Sequence, residues 1–383
     1  MQHVFIIGSR GLPATYGGFE TFVEELVKNQ KSDEIRYHVA CLSDKEHGKH
    51  YEYEGADCFQ IKVSPKLGPS RVIFYDMMAI NYALKLCRKE KIEAPIFYIL
   101  GNTIGAFISH FVRKVHAYGG KVFVNPDGLE WKRSKWAKPV QAYLKYAEKK
   151  MAEKADLIIA DNVGIKEYIK ASYPRAKIHF IAYGTQTTPS SLISSSEKVR
   201  QVFTKWGISE HQYYLIVGRF VPENNYKLAI REFMASQTTK DLVIICNHQG
   251  SAYFEQLQQE TGFDKDKRIK FVGTVYDRDF LTYIRQNAFA YIHGHEVGGT
   301  NPGLLEALSH TKLNLVLDVS FNRSVARDSS LYWQKERGVL SRLIDNSDHM
   351  VDVDEYAKKA QDIISKDYTW DKIVGEYEEL LLS

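Results

Sequence analysis

The sequence predicts an α/β protein of two doubly wound parallel domains, and three observations predict it. Its 383 residues exceed the length at which a single hydrophobic core stops growing, about 250–300 residues. Short apolar runs alternate with helical patterns along both halves, as strands do when crossover helices bury them on two faces. A polar, aperiodic stretch from Gly184 to Lys198, GTQTTPSSLISSSEK, interrupts that alternation with the composition of a linker.

The first half opens with strand Val4–Ile7, a glycine-rich loop from Gly8 to Gly18 (GSRGLPATYGG) and a helix from about Phe19 to Gln30. Strands follow at Tyr37–Leu42, Ile96–Leu100, Val122–Val124 and Leu157–Ala160, each with a helical pattern after it. Ala94–Val112 carries no charge over 19 positions and has to be weighed as a membrane span. Gly101-Asn102-Thr103 breaks it, and Ser109 and His110 are polar, so it reads as a strand, a turn and a helix capped by Asn102 or Thr103. The second half resumes with strands Tyr214–Val217, Leu242–Cys246, Ile269–Val272, Ala290–His293 and Leu313–Leu317, separated by helices such as Lys227–Ala235 and Arg278–Gln286. The boundaries are then 1–185, a linker over 186–197, a second domain over 198–366 and a terminal segment over 367–383. Two such domains put their strand carboxyl ends, where ligands bind, on either side of a cleft.

Apolar residues make up 44% and charged residues 26%, which excludes collagen, a coiled coil and a disordered scaffold. Residues 1–190 hold 28 Lys and Arg against 20 Asp and Glu, a net +8, and the remainder holds 23 against 27, a net −4. The amino-terminal half is thus expected to face something anionic: nucleic acid, a phosphorylated substrate or a membrane surface. Cys41, Cys58, Cys87 and Cys246 show no CxxC spacing, which indicates neither a disulfide framework nor a zinc site and fits a reducing cytosol. The start lacks the basic region and long apolar core of a signal peptide.

The most informative segment is His293–Leu308, HGHEVGGTNPGLLEAL: a strand end, a loop holding Gly298, Gly299, Thr300 and Asn301, and a helix from about Gly303. Free N–H groups and the helix dipole at such a start favour a diphosphate, Pro302 suits the first turn, and the glycines admit the ligand to the backbone. Glu306, one turn in, is placed to take the two hydroxyls of a ribose; the plainer alternative is an ordinary loop with a solvated first-turn acid. Leu215–Asn225, LIVGRFVPENN, puts the Arg219 guanidinium at the end of another strand, and its planar fork suits phosphate. Ile269–Ala290 adds strand, Gly273 turn and helix, the order expected of a loop that cradles a nucleobase.

In this order and spacing, the strand ending in GR, then FVGTV with a helix, then a glycine-rich loop into LLEAL resemble the retaining GT-B glycosyltransferases of family 4 over essentially the whole chain. GSRGLPATYGGFETFVEEL, VNPDGLEWKR and GHEVGGTNPGLLEAL look like the subgroup of rhamnosyltransferases that begin rhamnose-rich cell-wall or capsular polysaccharides in Gram-positive bacteria. The resemblance implies a donor, dTDP-β-L-rhamnose, in the second domain and an undecaprenyl-diphosphate-linked sugar against the first. The favoured acceptor begins with N-acetylglucosamine and receives a β-1,4 link; glucose is the alternative.

By the same resemblance Arg219 and the N–H groups near Gly299, Thr300 and Asn301 hold the diphosphate, Glu306 holds the ribose, and Gly17 and Gly18 close over the phosphates. The family's carboxylate eight positions before Glu306 is replaced by Gly298, leaving Glu296 as the candidate, and its lysine after the GR strand aligns with Asn224. Lys132 or Arg10 then meets part of the leaving-group charge. Asp127, in Asn125-Pro126-Asp127-Gly128 after a strand, is the candidate to orient the acceptor or hold a sugar hydroxyl, against a plain Pro-Asp-Gly turn. Glu223 is the second catalytic candidate. Transfer on the front side, with the departing diphosphate taking the acceptor proton, needs no enzymic nucleophile and rests on positioning and charge stabilisation. A nucleotide-sugar epimerase and an inactive nucleotide-sugar-binding subunit are the rival classes. Tyr368 through Leu382 resembles the terminal helix that in this fold returns to the first domain.

Neither metal nor cofactor is expected. His293 and His295 lack a matched third ligand, and the Asp-x-Asp pairs at 264/266, 277/279 and 352/354 read as turns and caps. The leading loop lacks GxGxxG spacing, which weighs against an oxidoreductase. Residues 130–154 carry eight Lys and Arg against three acids with aromatics interleaved. Trp131, Arg133, Lys135 and Trp136, with Arg113 and Lys114, are therefore expected to face an anionic membrane, not nucleic acid. The protein is expected in the cytoplasm, held peripherally at the inner face of the cell membrane.

Overall fold

The computed structural model describes every residue except 16, 134, 135 and 351. The chain divides into two compact units, Met1–Gly184 with Trp370–Ser383, and Thr185–Thr369. In the first unit the described residues form an eight-stranded sheet: β1 (Gln2–Ile7), β2 (Ile35–Ser43), β3 (His50–Tyr53), β4 (Ala56–Lys62), β5 (Ile96–Leu100), β6 (Lys121–Asn125), β7 (Leu157–Ala160) and β8 (Ile178–Phe180). Their order is β3-β4-β2-β1-β5-β6-β7-β8, and every pairing is parallel except β3 with β4. Helices α1 (Gly18–Lys28), α2 (Arg71–Glu90), α3 (Ile108–His116), α4 (Lys138–Lys154) and α5 (Val163–Ser172) accompany it.

Two local expectations fail here. No helix follows β2; the chain turns into the β3–β4 hairpin, whose outer strand HYEY alternates exposed and half-buried residues and so shows no apolar run. This charged, polar strand blunts an otherwise open sheet edge. Nor do Asn102 and Thr103 cap α3, which starts only at Ile108 after a 3-10 turn over Gly105–Phe107. Both side chains are engaged elsewhere: Asn102 Nδ2 donates to the Pro126 carbonyl at 2.9 Å and Thr103 Oγ1 to Asp76 Oδ2 at 2.6 Å. The intervening turn needs glycine at 105, where a Cβ would lie 2.2 Å from the Ala147 carbonyl oxygen of α4.

In the second unit the described residues form a six-stranded parallel sheet, β9 (Tyr213–Val217), β10 (Asp241–Ile245), β11 (Ile269–Gly273), β12 (Ala290–His293), β13 (Asn314–Leu317) and β14 (Leu331–Trp333), in the order β11-β10-β9-β12-β13-β14. Its helices are α6 (Glu197–Trp206), α7 (Tyr226–Ala235), α8 (Ala252–Thr261), α9 (Arg278–Gln286), α10 (Pro302–His310), α11 (Ser320–Ala326), α12 (Val339–Ser347) and α13 (Val353–Asp367). The polar stretch after Gly184 is pinned to this unit: Asp279 of α9 accepts from the Ser191 N–H and hydroxyl at 2.9 and 2.6 Å. Asp277 caps α9 through the Phe280 N–H at 2.9 Å.

The last helix, α14 (Trp370–Leu382), belongs to the first unit. Its buried Tyr377 shares a 2.9 Å hydrogen bond with Tyr98 of β5 and lies 5.2 Å from the Phe22 ring of α1. Glu378 accepts from the Lys31 and Ser32 N–H groups at 2.7 and 3.1 Å. Burial of Trp370, Ile373, Val374, Tyr377 and Leu381 seals the α1 side of the sheet, each large apolar side chain contributing about 1.5–3 kcal/mol.

Strand order reverses between β1 and β5 in one sheet and between β9 and β12 in the other. At such a switch the loops leaving the two strands diverge to opposite faces and open a crevice at the carboxyl ends, where α/β sheets bind ligands.

Candidate functional site

In the second unit the two loops at the switch carry the residues that the sequence singled out. Val217 ends β9, Gly218-Arg219 follows, and His293 ends β12. Gly218 leaves little room for a side chain, because a Cβ would lie 3.1 Å from the His295 ring, which would have to shift by a few tenths of an ångström. Arg219 projects as an exposed side chain, with no ion pair to a carboxylate among the described residues. Asn224, standing where a lysine was the expected type, is buried and closes the turn by donating to the Arg219 carbonyl at 2.7 Å.

The neighbouring loop is stitched to this turn. Asn225, in the left-handed region at φ +57°, donates through Nδ2 to the Gly294 carbonyl at 2.8 Å and to Glu296 Oε2 at 3.3 Å. The Glu296 N–H donates to the Glu223 carbonyl at 3.2 Å, and Lys335 forms an ion pair with the Glu296 carboxylate. Glu296 is therefore a charge already matched by the protein, and Glu223 sits half-buried beside it. Residues 295–299 and Asn301, with Phe321 and Asn322, line a small depression; Asn322 Nδ2 holds the His295 carbonyl at 3.0 Å.

α10 starts at this depression. Asn301 caps it by accepting from the Gly303 N–H at 2.9 Å, Pro302 occupies the first turn, Thr300 is buried and Gly299 half-buried. Tyr291 of β12 braces both loops: its hydroxyl donates to the Val217 carbonyl at 3.0 Å and would lie 3.8 Å from a Cβ at Gly303. The positive end of α10 and the Arg219 cation thus occupy the ends of adjacent strands, an arrangement suited to an anion.

Glu306, one turn into α10, is 41% exposed at its side chain and forms an ion pair through Oε2 with Arg285, which is almost wholly buried. Arg285 was not singled out from the sequence. It lies in the last turn of α9, 21 positions earlier in the chain, where a cation reads as an ordinary helix terminus. Burial, then the Arg285 charge, pushes His310 at the end of α10 down to about 4, so that it is neutral at physiological pH. His293 is fully buried and stacked on His295 with ring centroids 4.5 Å apart. Burial and the His295 charge hold it well below the usual histidine range, which makes it a neutral packing group.

In the first unit Gly17 precedes α1 at φ +121°, and a Cβ there would lie 2.0 Å from Glu20 Oε2. The need for glycine at this position comes from its φ, a backbone conformation that side-chain-bearing residues rarely adopt, while the Glu20 carboxylate beside it accepts from the Arg10 N–H at 2.8 Å; Gly18 has open space around it. Across the switch, Asn102 joins the Gly101–Gly105 turn to Pro126, and Asp127 follows at φ +60°. The Asp127 N–H donates to Asn125 Oδ1 at 2.8 Å, and its carboxylate lies 3.8 Å from Arg133.

Arg133 is the clearest departure from expectation. It is 7% exposed and salt-bridged to Glu130 at 2.6 Å, so it organises the Asp127 turn and cannot face a membrane. Trp136 donates to Glu130 at 2.8 Å, and the Trp131 indole nitrogen is buried. Lys132 is exposed, 5.4 Å over the Trp131 ring, and Arg113 and Lys114 are exposed on α3; Lys135 lies outside the described residues.

Asp76 of α2 was also not singled out. It is fully buried with Thr103 as the hydrogen-bond partner of Oδ2 and none for Oδ1, and burial pushes its carboxyl up to about 7. A folded value raised above the unfolded one stabilises at low pH, and that stability is lost between about pH 4 and pH 7 as the unfolded carboxyl ionises first. Asp76→Asn is therefore expected to gain about 2–4 kcal/mol relative to the parent between pH 4.5 and pH 7.5, read by urea unfolding at both values. A difference that stays constant over that range would mean that Asp76 is ionised in the folded protein throughout.

Two parallel α/β units with an arginine and a capped helix start at a strand switch define the class: the chain has the GT-B fold. It superposes on sucrose-phosphate synthase from Thermosynechococcus elongatus with a TM-score of 0.76 at 13% identity, over 99% of this chain and 98% of that one. It is similar to Anabaena HepE, solved with UDP (TM-score 0.73, 14% identity, 100% and 99% covered). The trehalose-phosphate synthase of Burkholderia xenovorans, solved with glucose-6-phosphate, gives 0.74 at 10% identity with 100% of both chains covered. Residues 1–186 match a family described as a domain of unknown function, DUF1972. No curated protein sequence matches the chain.

Proposed function

We propose that this chain is a retaining, metal-independent glycosyltransferase that moves L-rhamnose from dTDP-β-L-rhamnose to the sugar of a polyprenyl-diphosphate acceptor, with N-acetylglucosamine-diphosphoundecaprenol favoured. The observation that carries a nucleotide-sugar donor is the juxtaposition of Arg219 with the start of α10 at the β9/β12 switch, with Glu306 fixed by Arg285 one turn further on. The HepE relative was solved with UDP, which supports a nucleotide in this fold. The choice of rhamnose and of a lipid-linked acceptor rests on the resemblance of GSRGLPATYGGFETFVEEL, VNPDGLEWKR and GHEVGGTNPGLLEAL to rhamnosyltransferases.

In this reading the N–H groups of residues 299–301 and the Arg219 guanidinium bind the diphosphate, and the Glu306 carboxylate takes the ribose hydroxyls. The bond from the rhamnose anomeric carbon to the diphosphate oxygen breaks as the bond to the acceptor oxygen forms on the same face, and the acceptor proton passes to the departing oxygen. The protein supplies positioning and charge stabilisation. Asp127 orients the acceptor hydroxyl, Glu223 contacts the sugar, and the exposed cations Lys132 and Arg10 meet phosphate charge. No helix among the described residues is long and apolar enough to cross a membrane. Peripheral binding to the inner leaflet is supported by the net +8 of residues 1–190 and by the exposed Phe107, Arg113 and Lys114.

The test is transfer from dTDP-L-rhamnose, with EDTA present, to two synthetic lipid diphosphates carrying N-acetylglucosamine or glucose, read by mass spectrometry. A product with the first acceptor is expected. Product with glucose alone would reassign the acceptor, donor binding without transfer would favour a binding subunit, and absence of donor binding would sink the donor assignment.

A further inference from the structure

In the second unit, Arg285 follows Phe280, Tyr283 and Ile284 on the buried side of α9 and is only 3% exposed. A guanidinium at that depth is costly unless a carboxylate meets it. Glu306 of α10 meets it, through Oε2. Backbone contacts fix the two partners relative to each other. Thr311, just past the end of α10, donates through Oγ1 to the Arg285 carbonyl at 3.0 Å, and its N–H donates to the Ala307 carbonyl at 2.7 Å. The last turn of α9 is thereby tied to the last turn of α10, with Glu306 next to the tie.

The pair is unequal in its access to a ligand. Arg285 is too deeply buried to donate to one, whereas the Glu306 side chain keeps enough exposed surface to be reached. Yet Oε2 is committed to the guanidinium, so Oε1 is the oxygen left whole for a ligand.

That asymmetry matters to the pentose of a nucleotide. A carboxylate takes both hydroxyls of a ribose when each hydroxyl has an oxygen to itself. Here the second hydroxyl must share Oε2 with Arg285 or give up its water without a partner, and an unpaired buried hydroxyl costs at least as much as the bond it lacks. A 2′-deoxyribose in a 5′-diphosphate presents its 3′ hydroxyl alone and meets no such penalty.

We propose that Arg285 is a specificity-determining residue: by occupying Oε2 it leaves Glu306 able to take one pentose hydroxyl, so that the second unit selects 2′-deoxyribonucleoside diphosphates over ribonucleoside diphosphates. The inference rests on the reading of Glu306 as the ligand of the nucleotide's pentose and deepens it, because it names the residue that sets the class of pentose. It reaches a deoxynucleotide from the Arg285–Glu306 pair, without the sequence resemblance on which dTDP was chosen. The test is isothermal titration of the full chain with dTDP and with 5-methyluridine 5′-diphosphate, which share base and diphosphate and differ in the 2′ hydroxyl. The parent chain is expected to bind dTDP at least as tightly as the ribo form. Arg285→Met, which frees Oε2, is expected to shift the ratio of the two dissociation constants about fivefold to thirtyfold toward the ribo form, the worth of one hydrogen bond to a carboxylate. Arg285→Lys keeps a cation on Oε2 and is expected to hold the ratio within about threefold of the parent's.

A purely structural role for Arg285 would weaken both ligands equally in Arg285→Met, and a ratio that does not move would overturn the proposal. The parent chain tests it without any variant: a ribo form bound more than about threefold more tightly than dTDP would show that Glu306 takes both hydroxyls, and would overturn it even if Arg285→Met fails to fold. Either result, with both diphosphates bound, leaves the nucleotide-donor reading standing. Binding of neither diphosphate to the parent chain would overturn that reading and this inference together, so the two failures are told apart.

Discussion

Replacing Arg219 by alanine is expected to lower kcat/KM for sugar transfer about a hundredfold to a thousandfold and to weaken dTDP binding in parallel, with little change in melting temperature. The side chain is exposed and has no ion pair to a carboxylate among the described residues, so its loss strands no partner in the fold. Two charge-assisted hydrogen bonds to a diphosphate, each about 1.5–3 kcal/mol, account for the expected loss. Because charge on the leaving group grows as the glycosidic bond breaks, part of the effect should appear in kcat. Arg219→Lys should recover only a fraction, since a point charge cannot reproduce the planar fork. Unaltered transfer by the alanine variant would move the diphosphate away from the end of β9. Isothermal titration with dTDP separates the binding loss from the chemical one.

Asp127→Asn is expected to reduce transfer about a hundredfold with unchanged donor affinity. The substitution is a clean one because asparagine tolerates the left-handed backbone that Asp127 adopts at φ +60°, and because the Asn125 contact is made by the residue's N–H and not by its side chain. What changes is the charge facing Arg133, 3.8 Å away, and the acceptor capacity of the carboxylate. Asp127→Ala adds a backbone cost of about 1–2 kcal/mol, so a stability loss in Ala that is absent in Asn separates turn geometry from chemistry. If Asn transfers at the parent rate, Asp127 is a turn residue only and Glu223 becomes the candidate to examine. The measurement is initial rate at saturating donor over a range of acceptor concentrations.

Both predictions concern residues whose strand-end positions the sequence shows, with the role of Asp127 drawn from the family resemblance, and the reason is local. Arg219 and Asp127 each follow an apolar run at a strand end, next to a turn-forming glycine, and period and punctuation are properties of neighbouring residues. The same holds for the strands Ile96–Leu100, Leu157–Ala160 and Ala290–His293 and for helix Arg278–Gln286, whose limits in the structure coincide with their hydrophobic patterns. It fails for β3, because a half-exposed edge strand needs no apolar run, and for Asn102 and Thr103, whose side chains are drawn to Pro126 and Asp76 and away from a helix cap.

By itself the sequence determined the two α/β sheets, the anion-suited start of α10 and the strand-end positions of Arg219 and Asp127. Tertiary structure alone decided which charges are spent on the protein itself. Arg285 finds Glu306, Lys335 finds Glu296, Arg133 turns inward to Glu130, and Asp76 is buried with Thr103. The physical reason is that a buried charge costs several kcal/mol unless a partner meets it, and the partner is supplied by chain crossings that bring distant positions together. A strand or a turn is written in consecutive residues; a salt bridge between α9 and α10 exists only once the sheet has set the two helices side by side.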